Sequence, residues 1–200
     1  ACLVGSEMCI RDRYMTGASA CGDSTVHVKG DVTATGENSV GIDGETGTIK
    51  VGGDVSGIEA VVARGEADVT VGGSVSGTLS GIVAVGNASV SVKGDAETKV
   101  GPGVFAQENA TVTVDGNVTG GTFYEAPEGY EYVYPAIIAG AGTTVIVKGT
   151  VSTAERNFFA VGINCWDAGS QKGTLILEKA KAGGEANAIY VNAAPGASQE

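Results

Sequence analysis

The sequence predicts an all-β chain folded as a single-stranded parallel β-solenoid of about seven rungs. Three observations carry this. A Val-x-Val-x-Gly-x-Val pattern recurs about every twenty-one residues. Apolar and polar residues alternate with period two inside each copy. Glycine makes up 33 of the 200 residues, against a usual ~7%. No Gly-X-Y period accompanies the glycines and Pro numbers only 4, which excludes collagen. With 42% apolar and 18% charged residues the chain is not a disordered acidic tail. No run of eighteen apolar residues is present, so no membrane-inserting segment is expected. The net charge of -11 argues against nucleic acid, whose phosphates need a basic face.

The first strand of each rung is the motif itself. Copies begin at Val26 (VHVKGDV), Ile49, Val69, Val90, Val112 and Val145, with a degenerate copy at Leu175 (LILEKAK). Their spacings are 23, 20, 21, 22, 33 and 30 residues. Alternation with period two marks strands, and β-branched residues suit a pleated, half-buried surface. Val26 and Val28, Val69 and Val71, and Val112 and Val114 share the inward parity. A unit of this length fits one solenoid rung, while a propeller blade needs about twice as much and a leucine-rich repeat needs a Leu/Asn framework.

Next comes the corner. Gly30, Gly53, Gly73, Gly94, Gly116 and Gly149 occupy one position of the motif, where a side chain is expected to collide with the core. Asp31, Asp54, Ser74, Asp95, Asn117 and Thr150 follow them as a ladder of short polar residues, which bond nearby backbone in turns. A second apolar segment completes the unit, starting at Ser39, Ala60, Gly81, Gly103, Ala136, Phe158 and Ala188. Val61, Ile82, Val104, Ile137, Phe158 and Ile189 form its expected inward column. Ala63, Ala84, Ala106, Ala139 and Ala160 are its small companions. The off-parity residues Val62, Val83, Phe105, Ile138, Phe159 and Tyr190 form an apolar outward column, the mark of a recognition or assembly surface.

Two rungs carry insertions. Residues 119–135 (TGGTFYEAPEGYEYVYP) hold Phe123, Tyr124, Tyr130, Tyr132 and Tyr134, interleaved with Glu125, Glu128 and Glu131. Residues 164–171 hold Trp166, the only Trp. Insertions of a solenoid are loops on one face, and aromatic loops with carboxylates can stack on sugar rings. These six aromatics are the candidate binding residues. The same loop can instead fold over the rod and cover its apolar column.

The repeat, as in GIVAVGNASVSVKGDAET, resembles the right-handed parallel β-helix repeats of bacterial cell-surface proteins of adhesin and autotransporter type. The resemblance covers residues 24–193. It implies an extracellular or cell-surface stalk whose partners are a glycan or a host or cell-surface protein, and it implies no cofactor. Two other readings accompany it. One is a polysaccharide lyase or glycoside hydrolase fragment, with Glu125, Glu128, Glu131 or Asp167 as carboxylates. The other is a scaffold that self-assembles through unpaired strand edges. No catalytic pair stands out, no His/Cys/Asp cluster has metal-ligand spacing, and His27 lacks an orienting partner, so enzymatic activity is not expected.

Residues Leu3 to Arg13 (LVGSEMCIRDR) resemble the translation of a transposase-type sequencing adapter. That resemblance implies a metagenomic reading frame in which residues 1–13 are not native, 14–23 are a lead-in and 194–200 a tail or linker. Cys21 and Cys165 then remain as native cysteines. Five rungs of about 4.8 Å separate them, too far for a disulfide, so two separate thiols are expected.

Overall fold

The computed structural model describes residues 16–120, 124–125, 131–132, 134–153, 160–164, 173–182 and 189–192. Among them the fold is all-β, and the chain winds as a parallel β-solenoid of about six turns. The sequence predicts about seven. Seven motif strands do stack, from Thr25–Val28 to Thr174–Lys181, but a turn is the step between neighbours, and there is one fewer step than strands.

Each turn has three strands, where the two apolar segments predict two. The first sheet stacks Thr25–Val28, Thr48–Val51, Asp68–Val71, Ser89–Val92 and Thr111–Val114 in parallel register. It continues into the first halves of Thr144–Thr153 and Thr174–Lys181. The second sheet starts after the corner. It stacks Val32, Val55, Val75, Ala96, Val118 and Val151, the last residue of each motif copy. Its strands are as short as Val32–Thr33, too short for alternation to reveal them in sequence. The third sheet carries the second apolar segment. It opens with Thr16–Ala20, which pairs in parallel with Val40–Gly44, so part of the expected lead-in is a strand of the solenoid.

The three sheets enclose one core. Val69, Val71, Val75, Ile82, Val90, Val92, Val104, Val112, Val114 and Val118 are buried and stack rung upon rung. Each such side chain contributes about 1.5–3 kcal/mol relative to exposure. Val26 and Val28 at one end and Leu175 and Leu177 at the other pack only partly against that core.

The corner glycines are required for a different reason from the one expected. A Cβ on Gly53 would overlap Asp31 Oδ1, and on Gly73 it would overlap Asp54 Oδ1. On Gly94 it would overlap Ser74 Oγ and on Gly116 Asp95 Oδ1. The obstacle is the preceding rung, its polar side chain and the backbone of its glycine, not the core; at Gly149 the Gly116 carbonyl oxygen is the nearest atom, at 2.5 Å. Gly30, whose would-be Cβ meets nothing within 4 Å, fits this account as the first glycine of the column. Those side chains form a continuous ladder. The backbone N–H of Asp54 donates to Asp31 Oδ1 (2.8 Å), that of Ser74 to Asp54 Oδ1 (2.7 Å) and that of Asp95 to Ser74 Oγ (3.1 Å). Asn117 N–H then donates to Asp95 Oδ1 (2.6 Å) and Thr150 N–H to Asn117 Oδ1 (2.9 Å). At this corner the strands turn, and the short polar residues supply the acceptors that the backbone N–H groups need.

One register differs from the expected one. Ile137 pairs with Val161 and Ile138 with Gly162, so Val161 takes the inward place expected for Phe158. Gly162 takes the outward place expected for Phe159, which lies outside the described residues. The reason is the corner before the third sheet, which admits only small residues. Gly81, Gly103, Ala136 and Ala160 occupy it in successive rungs, joined by Ile82 N–H to Gly103 O, Val104 N–H to Ala136 O and Ile137 N–H to Ala160 O. A Cβ on Gly81 would stand 2.6 Å from Gly103 O. Ala160, fully buried, fills that position and sets the strand at Val161–Asn164.

Cys21 is disulfide-bonded, which corrects the expectation of a free thiol there. That expectation weighs only Cys165 as a partner; Cys2, Cys9 and Cys165 all lie outside the described residues.

Candidate functional site

The longer insertion falls at the corner between the second and third sheets, whereas 164–171 falls at the next corner, between Val161–Asn164 and Thr174–Lys181. From the inward residue of the second sheet to that of the third, the chain takes 10 residues in the first rung (Val32 to Ile42), then 6 (Val55 to Val61), 7 (Val75 to Ile82) and 8 (Ala96 to Val104). It then takes 19 (Val118 to Ile137) and 10 (Val151 to Val161). The Tyr-rich insertion is the extreme of this series. The first extra residue makes an irregularity at Thr78–Leu79, where Gly57 still pairs with Gly77 but Glu59 pairs with Ser80. It pushes Leu79 outward, leaving that side chain 49% exposed.

Beside this corner runs the outward column of the third sheet. The register stacks Val62, Val83, Phe105 and Ile138 in line, followed by Gly162 and Tyr190. Val83, Phe105 and Ile138 are half-buried, and Val62 is only 1% exposed. A groove of about 420 Å³ lies over the half-buried members. Leu79, Val100, Pro102 and Tyr134 complete its apolar wall, and Glu59 and Ser80 are its polar members. A volume of this order is that of small-ligand sites, ~300–1,000 Å³.

Tyr134, the last aromatic of the insertion, is part of this wall. Tyr124–Glu125 and Glu131–Tyr132 form a short antiparallel ribbon, in which Tyr124 stands opposite Tyr132 and Glu125 opposite Glu131. Phe123, Tyr130 and Trp166, with Glu128 and Asp167, lie outside the described residues.

Sequence reasoning missed Glu59, Leu79, Ser80 and Pro102. The uneven length of this corner from rung to rung was the signal that could have located them. Ser80 is buried, and its hydroxyl has no hydrogen-bond partner among the described residues. A buried hydroxyl left unpaired costs roughly 1–3 kcal/mol. Glu59, the only carboxylate in the described wall, has no ion-pair partner among the described residues.

Elsewhere the charges stitch rungs together. Arg64 Nη1 meets Asp43 Oδ1 at 2.7 Å. Lys93 Nζ donates to Asp115 Oδ2 at 2.8 Å, and Lys148 Nζ lies 2.7 Å from Oδ1 as an ion pair without the alignment of a directed hydrogen bond. The Lys148 ammonium first, and Lys93 second, hold the Asp115 carboxyl below the ordinary carboxylate range. Among the described residues no group of three or more His, Cys, Asp or Glu is placed to hold a metal. No helix there is long and apolar enough to cross a membrane.

No protein-family model, curated protein or solved structure matches this chain. The fold and the groove therefore stand on the chain's own residues.

Proposed function

We propose that this chain is a binding stalk, a rigid β-solenoid segment that acts at the cell surface and presents one apolar face to a partner. The observation that carries this reading is the groove over Val83, Phe105 and Ile138, walled at one side by Tyr134. It lies beside the corner that carries the Tyr-rich insertion, while the outward first-sheet positions Lys50, Thr70, Ser91 and Thr113 are polar, before the column turns apolar at Ile146 and Ile176. A solenoid fixes such a groove rigidly and holds it away from whatever anchors the rod. The partner class is a glycan or a cell-surface protein, reached through the Tyr-rich insertion, since Tyr offers large amphipathic contact area at low entropic cost. Extracellular placement follows from the resemblance of the repeat to surface proteins.

The test is the triple substitution Tyr130→Ala, Tyr132→Ala and Tyr134→Ala. Circular dichroism and thermal melting are expected to report an intact solenoid. Attachment to a glycan array and to a panel of cultured cells is expected to be lost. Attachment equal to that of the parent protein would overturn the role of the insertion.

A further inference from the structure

The groove contains more than an apolar wall. Its two polar members are neighbours across the ladder, since Glu59 and Ser80 are directly paired in register on successive rungs. Neither has a partner for its side chain among the described residues, and Ser80 Oγ is shut off from solvent. Glu59 is the member open to a ligand, and its carboxylate accepts only, whereas the Ser80 hydroxyl is covered. The apolar members follow in one direction only. Val83, Phe105 and Ile138 stand on successive rungs, so the floor continues for about 10 Å away from the polar pair at ~4.8 Å per rung. Phe105 and Tyr134 add aromatic surface, which attracts a cation electrostatically.

We propose that this groove binds a small amphipathic amine, with its ammonium group at Glu59 and its apolar body along Val83, Phe105 and Ile138. An ammonium carries donors only, so it complements the carboxylate of Glu59 in both hydrogen bonding and charge. A carboxylate ligand of the same length would bring its charge against Glu59, inside a chain of net charge -11. The volume of about 420 Å³ accommodates a ligand of this kind. The inference rests on the groove being a binding surface, as the stalk reading has it, but it assigns the occupant from Glu59 and the third-sheet column, with Tyr134 as the one contribution of the Tyr-rich insertion.

Isothermal titration of the full chain with octylamine, octanol and octanoate, at neutral pH and below micellar concentration, tests this. Octylamine is expected to bind more tightly than octanol by roughly fivefold, the worth of one partly exposed ion pair. Octanoate is expected to be the weakest of the three. Glu59→Gln should abolish the preference for octylamine over octanol and leave octanol binding within about twofold, with an unchanged melting temperature as the control for folding. Phe105→Ala should weaken octylamine and octanol alike. Octanoate binding as tightly as octylamine would overturn the proposal, as would an octylamine preference that survives Glu59→Gln, or no binding of any of the three. These outcomes are separable from the stalk reading. Attachment lost in the Tyr triple variant while no amine binds leaves the stalk reading standing and removes this one. Amine binding with attachment unaffected by the Tyr substitutions does the reverse.

Discussion

Asp54 illustrates how a single residue works twice in this fold. Its carboxylate accepts the backbone N–H of Ser74 in the next rung, and its own N–H donates to Asp31 in the previous one. Gly73 is glycine because Asp54 Oδ1 fills the space of its Cβ, with Gly53 C and O at 2.7 and 2.8 Å behind it. The corner glycine and the polar residue after it are thus one device, repeated. Gly73→Ala is expected to lower unfolding free energy by about 1–3 kcal/mol, the cost of overpacking a close contact. Asp54→Ala should cost about 0.5–1.5 kcal/mol, the loss of one net hydrogen bond at an exposed corner. In the double variant the clash with the carboxylate is gone but that with the Gly53 backbone remains, so the two losses should be less than additive. Urea titration of the four proteins measures this, and strict additivity would contradict the coupling.

At the scale of the element, strands are joined by charge as well as by backbone hydrogen bonds. Asp115 bridges Lys93 and Lys148, which follow the motif strands of the rungs on either side. Because its folded pKa is lowered, Asp115 binds a proton less readily in the native state than in the unfolded chain. Its contribution is therefore present at pH above the unfolded carboxylate value and is lost as pH falls through the folded value. Asp115→Asn should be less stable than the parent at neutral pH, and the gap should close in acid. High salt should shrink the gap at neutral pH, since all three side chains reach solvent. A gap independent of pH would mean that the carboxylate's charge is not what matters. A second element-level device is the small-residue corner before the third sheet. Ala160 there decides that Val161, and not Phe158, faces Ile137's column.

For the whole molecule, stability is a sum of rungs and of the interfaces between them. The central rungs bury Val69, Val71, Val90, Val92, Val112 and Val114 completely or nearly so, while Val26 and Val28, Leu175 and Leu177 are partly exposed. Opening is expected to begin at the ends of the described solenoid. Hydrogen exchange should show amide protection greatest in Asp68–Val71, Ser89–Val92 and Thr111–Val114, and decreasing towards Thr25–Val28 and Thr174–Lys181. Uniform protection along the rod would show instead that it opens as one unit.

The repeat, the strand class, the inward valines and the polar corner ladder were all legible in the sequence. They rest on local rules: period-two alternation, the steric freedom of glycine and the backbone-bonding habit of Asp, Asn and Ser. The second sheet was not legible, because strands like Val32–Thr33 are shorter than one period of any pattern. The register at Val161 was not legible either, since FFAVGI offers apolar residues in two alignments and only the crowded corner chooses between them. The groove needed the tertiary structure most of all. Glu59, Ser80, Phe105, Tyr134 and Ile138 come from four successive rungs, and their meeting depends on stacking. Sequence periodicity determined what each rung is made of; the packing of one rung on the next decided which residues share a surface, because side chains about 4.8 Å apart in space stand some twenty residues apart along the chain.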